Sequence, residues 1–296
     1  MSITICEVGP RDGLQNEKRL LSTETKVSLI KRAIAAGVRR IEATAFVHPK
    51  RVPQMADAEA VMALVPRDGS VSYIGLVLNQ RGFERAAHAG VNEVNMVVLA
   101  TDTFSERNQG MTVETSLRAW SEIADRAHKA GIRPSLTIGA AFGCPFEGEV
   151  SPDRVRALAR RAIDSGPVEI ALADTIGVGV PTQVTELVAA IRDIAPSVAV
   201  RCHFHNTRNT GYANAVSAIN AGVDTLDASA GGIGGCPFAP AATGNIATED
   251  LVYLLERMGI ATGVDLRAIT ATGQWIGEQL DIEVPALLGR AGSFPG

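Results

Sequence analysis

The 296-residue chain is 46% hydrophobic and 20% charged, with 28 basic and 32 acidic side chains and a formal net charge of −4. That is ordinary globular composition; with a pI near 5.8 and no block of like charges, it argues against nucleic acid or an anionic membrane as partner. No apolar run reaches the roughly 20 residues of a membrane helix. The opening MSITICEVGP enters a strand pattern without a basic amphipathic leader, so the expected location is the cytosol.

Short runs rich in β-branched residues alternate along the chain with longer amphipathic ones. Strands are predicted over 3–8, 40–43, 71–76, 93–99, 133–138, 168–173, 198–203 and 225–228. Between them, a helix over 22–36 opens at a capping Ser22 and stops at Gly37, and one over 113–130 stops at Gly131. A third, over 151–164, opens Ser-Pro-Asp and stops near Gly166; two more are predicted over 182–194 and 209–221, the last before Gly222. The tail after Glu249 reads as two further helices covering one side of the molecule. Eight strands alternating with helices predict parallel βα units and a closed (β/α)8 TIM barrel, one domain over 1–296. An open doubly wound sheet is the alternative, but no GxGxxG turn follows the first strand. The GGIGG run at 231–235 follows the last strand without opening a helix directly and reads as a mobile loop rather than a phosphate cradle.

In such a barrel the catalytic groups sit at the C-terminal ends of the strands. There the sequence places Arg11 and Asp12 after the first strand and Glu42 at the end of the second. Asp174 and Thr175 follow the sixth, His203 and His205 end the seventh, and Cys236 and Asn245 lie beyond the eighth. Residues two apart in a strand share a face, so both imidazoles of His203-x-His205 can aim at one ion; two rim histidines with no ligand is the competing reading. Asp12 adds a carboxylate and Asn245 an amide oxygen, a donor set suited to an octahedral ion such as Mg2+ or Mn2+. A structural zinc site would want more thiolate, and Cys202 points to the opposite face from His203.

Arg11 and Asp12 read either as a salt-bridged pair or as a guanidinium held by the Pro10–Gly13 turn to meet an enolate oxygen. Glu42 and Asp174 are carboxylates that cap helices or serve as acid and base beside a metal. Cys236, in Gly-Gly-Cys-Pro, is either a small turn residue or a thiol delivered by a loop that closes over a ligand. The four cysteines, Cys6, Cys144, Cys202 and Cys236, form no CxxC pair and are expected as free thiols.

These segments carry a resemblance. EVGPRDGLQNE at 7–17, IEATAFVHPKRVPQM at 41–55, GCPFEG at 143–148, ADTIGVG at 173–179, HFHNT at 203–207 and GGCPFAPAATGNIATEDLVYLL at 234–255 are similar to the 3-hydroxy-3-methylglutaryl-CoA lyase family, within the wider DRE-TIM metallolyase group. The likeness runs from about residue 5 to about residue 260 with its motifs in family order. It implies a TIM barrel holding one Mg2+ or Mn2+, with Asp12, His203, His205 and Asn245 as ligands. It also implies Arg11 on the enolate, Cys236 as loop acid or base, and Glu42, Asp174 and Glu249 as carboxylates around the site. Glu249 has no independent support and otherwise reads as a first-turn helix residue. The implied reaction is retro-Claisen cleavage of a 3-hydroxyacyl-CoA thioester, with Asp174 or His203 taking the hydroxyl proton; the implied assembly is a homodimer.

Several positions expected at the mouth depart from the family pattern. Ala45 and His48 stand where serines are common and Arg51 where tryptophan is. Thr137-Ile138-Gly139-Ala140 replaces a Tyr-Val-Ser-Cys stretch, and Asn95 and Met96 replace small apolar residues. The chemistry is therefore more secure than the substrate: 3-hydroxy-3-methylglutaryl-CoA, or a relative such as citramalyl-CoA or a longer-branched hydroxyglutaryl-CoA. A condensing acyltransferase of the isopropylmalate or homocitrate synthase type shares the Arg-Asp turn and His-x-His. It is disfavoured by the Gly-Gly-Cys-Pro loop and the missing long C-terminal extension.

Overall fold

A computed structural model describes residues 2–235, 244–292 and 294. Eight parallel strands close into a barrel in chain order: β1 (Thr4–Glu7), β2 (Arg40–Ala45), β3 (Ser72–Val77), β4 (Glu93–Leu99), β5 (Arg133–Gly139), β6 (Glu169–Asp174), β7 (Ala199–Phe204) and β8 (Thr225–Ala228). β8 pairs back onto β1, with Thr4 opposite Thr225 and Glu7 opposite Ala228. The TIM-barrel expectation holds, and each predicted strand is present to within two residues at either end. Glu42 is the correction: β2 runs on to Ala45, with a register shift against β3 between Glu42 and Thr44.

The helices start where the caps predict. Ser22 accepts from the Thr25 amide at 3.3 Å ahead of Thr23–Ala35, and Ser151 accepts from the Arg154 amide at 3.2 Å ahead of Pro152–Ile163. Gly37 ends the first helix at φ +102°, where an added Cβ would lie 2.2 Å from the Gly263 carbonyl oxygen. Val113–Lys129 and Pro181–Ile194 match their predictions. The helix expected from 209 starts later, at Gly211, because Asn209 sits in the left-handed region at φ +58°. Three short helices were not foreseen: Ala58–Leu64, Gln80–His88 and Asp102–Gln109. Glu249 lies in the first turn of the helix Thr248–Arg257, as its sequence reads, and Leu266–Leu280 and the four-residue Leu288–Ala291 follow, one helix more than the two expected in the tail.

The apolar core lies mainly between strands and helices. Ile41, Val94, Met96, Leu136, Ile138, Ile170, Leu172, Val200 and Leu226 face outward and pack with helix residues such as Ile30, Trp120 and Leu158. Met96 and Ile138 thus belong to this outer layer, not to the mouth. The alternate residues point into the barrel and are largely polar. Arg40 on β2 reaches across to Glu169 on β6 at 2.6 Å and to Glu93 on β4, and Arg201 on β7 also contacts Glu169, at 3.0 Å. With a strand rise of about 3.3 Å per residue, the inward residues form tiers. Arg40, Glu93, Glu169, Arg201 and Thr225 make the lowest; Glu42, Asn95, Thr137, His203 and Asp227 come next; His205 and the loops lie above.

Candidate metal centre and active site

The turn after β1 builds one wall of the site. Gly9–Gly13 makes a single π-helical turn in which the amides of Arg11 and Gly13 both donate to the Val8 carbonyl, at 3.1 Å each. This throws Arg11 and Asp12 over the mouth. Arg11 Nη1 meets Asp12 Oδ1 at 2.6 Å, and Arg11 Nε donates to Glu42 Oε2 at 2.7 Å. A planar guanidinium suits this double engagement. Glu42 is mid-strand, yet its side chain points inward and reaches the arginine, a contact the sequence reading did not foresee.

Asp12, His203 and His205 each offer a ligand atom, all within 4.8 Å of one another. Nε2 of each imidazole lies 3.8 Å from Asp12 Oδ2. Asn245 donates from Nδ2 to Asp12 Oδ2 at 2.9 Å and to the Ile233 carbonyl at 3.1 Å, which leaves its Oδ1 buried with no partner. An orphaned buried acceptor costs about 1–3 kcal/mol, and a cation beside it would remove that cost. The residues therefore fit a divalent ion: one carboxylate, two imidazoles and one amide oxygen, with no thiolate among the described residues of the cluster. Desolvation at the mouth would raise the Asp12 carboxyl, but Arg11 and the two imidazoles outweigh it and hold the group well below the usual carboxylate range. Asp12 is thus ionised, as a ligand must be.

His203 Nδ1 lies 3.2 Å from Asp227 Oδ2, which fixes the ring and directs Nε2 toward Asp12. Asp227 was not foreseen from the sequence. The available signal was a charged residue inside the short apolar strand TLDA, since a buried charge has to be paired. Asp174 ends β6 and accepts from the amides of Val178 and Gly179, at 2.9 Å each. Burial raises its pKa, against the pull of those amides and of both nearby imidazoles. Glu249 makes its hydrogen bonds elsewhere: both carboxylate oxygens accept from the Gly231 amide, at 3.1 and 2.9 Å, under the turn Ala230–Gly232. That turn is packed rather than open. Gly231 to Gly234 are buried and the Gly232 amide donates to Ser229 at 2.7 Å, which corrects the reading of 231–235 as a mobile loop. Cys236 lies outside the described residues; Cys6, Cys144 and Cys202 are free and buried.

The HMGL-like family model matches residues 2–276. The chain belongs to this family. It is accordingly a carbon–carbon lyase. Among its relatives, the (R)-citramalyl-CoA lyase of Chloroflexus aurantiacus is 48% identical, covering 98% of this chain and 95% of that protein. The hydroxymethylglutaryl-CoA lyase of Pseudomonas mevalonii is 43% identical, covering 94% and 93%. An HMG-CoA lyase from Acinetobacter baumannii, solved in complex with coenzyme A and 3-methylmalate, superposes with a TM-score of 0.94 at 38% identity, covering 99% of this lyase and 97% of that chain. Among the described residues, no helix of the lyase is long and apolar enough to cross a membrane.

Proposed function

We propose that the chain cleaves 3-hydroxy-3-methylglutaryl-CoA to acetyl-CoA and acetoacetate, using a Mg2+ or Mn2+ ion held by Asp12, His203, His205 and Asn245. The observation that carries this reading is the convergence of three ligand side chains and a free amide oxygen beside an arginine already braced by Glu42. When bound, the ion supplies Lewis acidity toward the substrate's tertiary hydroxyl and a neighbouring oxygen.

The chain's own residues do the rest. Asp174 takes the hydroxyl proton; His203, the other candidate, has Nε2 in the ligand cluster and Nδ1 on Asp227, which leaves no nitrogen free to accept it. The O–H electron pair becomes the new carbonyl bond, the C2–C3 bond breaks, and its electrons pass to the acetyl-CoA half as an enolate. Arg11, immobilised between Asp12 and Glu42, faces the charge on the enolate oxygen without reorganising. Cys236 returns a proton to the enolate carbon. Atoms and electrons balance with no oxidant, reductant or water consumed. Glu249 serves as a supporting carboxylate beneath the Ala230–Gly232 turn. The protein acts as one barrel domain over 1–296, as a cytosolic homodimer.

A second reading, (R)-citramalyl-CoA cleaved to acetyl-CoA and pyruvate, is favoured by the 48% identity to a lyase of that name. It keeps every role above and shortens the substrate by one methylene on the carboxylate side. Purified protein with Mg2+ or Mn2+ is given each thioester and acetyl-CoA release is followed. The main reading expects the larger kcat/KM on 3-hydroxy-3-methylglutaryl-CoA, and the second reading the reverse. No release from either would remove both.

A further inference from the structure

Beneath the metal cluster the inward side chains form a directional hydrogen-bonded chain. Arg201 Nη2 donates to Thr137 Oγ1 at 3.4 Å, Thr137 Oγ1 donates to Asn95 Oδ1 at 3.0 Å, and Asn95 Nδ2 donates to Glu42 Oε1 at 3.2 Å. Glu42 spends its other oxygen on Arg11, at 2.7 Å from Nε. At the far end Arg201 Nη1 lies 3.6 Å from Asp227 Oδ1, and Asp227 Oδ2 holds His203 Nδ1 at 3.2 Å. Every member has a direction its chemistry allows: a guanidinium can only donate, a threonine hydroxyl accepts and donates, the asparagine amide does both, and a carboxylate only accepts. The chain spans β7, β5, β4 and β2 and joins the partner of the enolate arginine to the partner of a metal-ligand histidine.

Asn95 and Thr137 are buried, at 2% and 8% exposure, and neither belongs to the metal cluster. Without Asn95, Glu42 Oε1 has no other hydrogen-bond donor among the described residues, and the carboxylate is tethered at Oε2 alone, by Arg11. Without the Thr137 hydroxyl, Asn95 loses the donor that fixes which face of its amide turns to Glu42. We propose that Asn95 and Thr137 are positioning residues of the reaction: they hold the Glu42 carboxylate in the one orientation that keeps the Arg11 guanidinium aimed at the enolate oxygen. The proposal rests on the lyase reading above.

The test uses the metal-loaded enzyme and near-isosteric variants. Thr137→Val and Asn95→Leu lower kcat about tenfold or more, with KM within about twofold and Mn2+ affinity within about threefold of wild type, because neither side chain bonds a proposed metal ligand. Thr137→Ser, which retains the hydroxyl, recovers most of kcat. Asn95→Leu added to Glu42→Gln costs nothing beyond Glu42→Gln alone, since both act through one carboxylate. Wild-type kcat in Thr137→Val and Asn95→Leu, an additive loss in the double variant, or a parallel loss of Mn2+ binding overturns the relay alone. A wild-type chain that releases no acetyl-CoA from either thioester overturns the lyase reading and the relay with it.

Discussion

Glu249→Gln is expected to remove a large part of the pH dependence of stability. The Glu249 carboxyl is 1% exposed, and a Cβ added to Gly273 would lie 2.0 Å from its Oε1, so no water can reach that side. Burial pushes its pKa up from 4.5 to about 8, only partly offset by the Gly231 amide. The folded protein therefore keeps a proton that the unfolded chain releases above pH 4.5. The contribution is fully present below that pH and lost as pH rises through about 8. At roughly 1.4 kcal/mol per pH unit, the loss approaches about 5 kcal/mol. Glutamine keeps an oxygen for the Gly231 amide and cannot ionise. Thermal unfolding of both proteins in EDTA from pH 5 to pH 9 should give matching midpoints at pH 5 and a wild type that falls behind by on the order of 10 °C at pH 9. A constant difference at every pH would refute the reasoning. Glu7, raised by burial to about 7 against bonds from Thr248, Ala230 and Gly9, leaves a residual slope of the same sign in the variant.

His205→Ala should weaken Mn2+ binding by tenfold or more in a direct titration; unchanged affinity would remove His205 from the ligand set. Arg11→Lys should lower kcat by about 10²-fold or more, because an ammonium cannot span Asp12 and Glu42 while facing an enolate; the check is steady-state kinetics at saturating metal. Cys236→Ala should cost about 10²-fold in turnover and leave Mn2+ affinity unchanged, so full activity would reassign the proton donor.

The barrel was legible because its strands are short apolar runs punctuated by caps and glycines, and local chemistry alone produces that pattern. His203 and His205 were legible for the same reason: a spacing of two puts both rings on one face. Glu42 was placed at the end of β2 by local reading, since the register shift after it depends on pairing with β3. The short helices Ala58–Leu64, Gln80–His88 and Asp102–Gln109 were missed because seven to nine residues hold too few turns for a clear period. Glu249 was reached only by resemblance, and its hydrogen bonds to Gly231 show why: its partner is set by the fold of a turn 18 residues away.

The charged interior was the least legible part, and the physics says why. Arg40, Glu93, Glu169, Arg201 and Asp227 are separated by up to 187 positions between Arg40 and Asp227, yet meet inside one barrel. Each looks in sequence like a stray charge in a strand. Their pairing exists only after closure brings β2, β4, β6, β7 and β8 around a common axis. A buried ion pair gains little net stability over apolar packing, so stability alone gives no reason to keep five such charges in place. What the arrangement supplies is orientation: Asp227 aims His203, Arg201 steadies Asp227, and the same arginine anchors the Thr137–Asn95 chain to Glu42 and Arg11. The barrel trades apolar packing along its axis for a fixed geometry at its mouth, and His203 and Arg11, the proposed metal ligand and enolate partner, are both held by that one interior network.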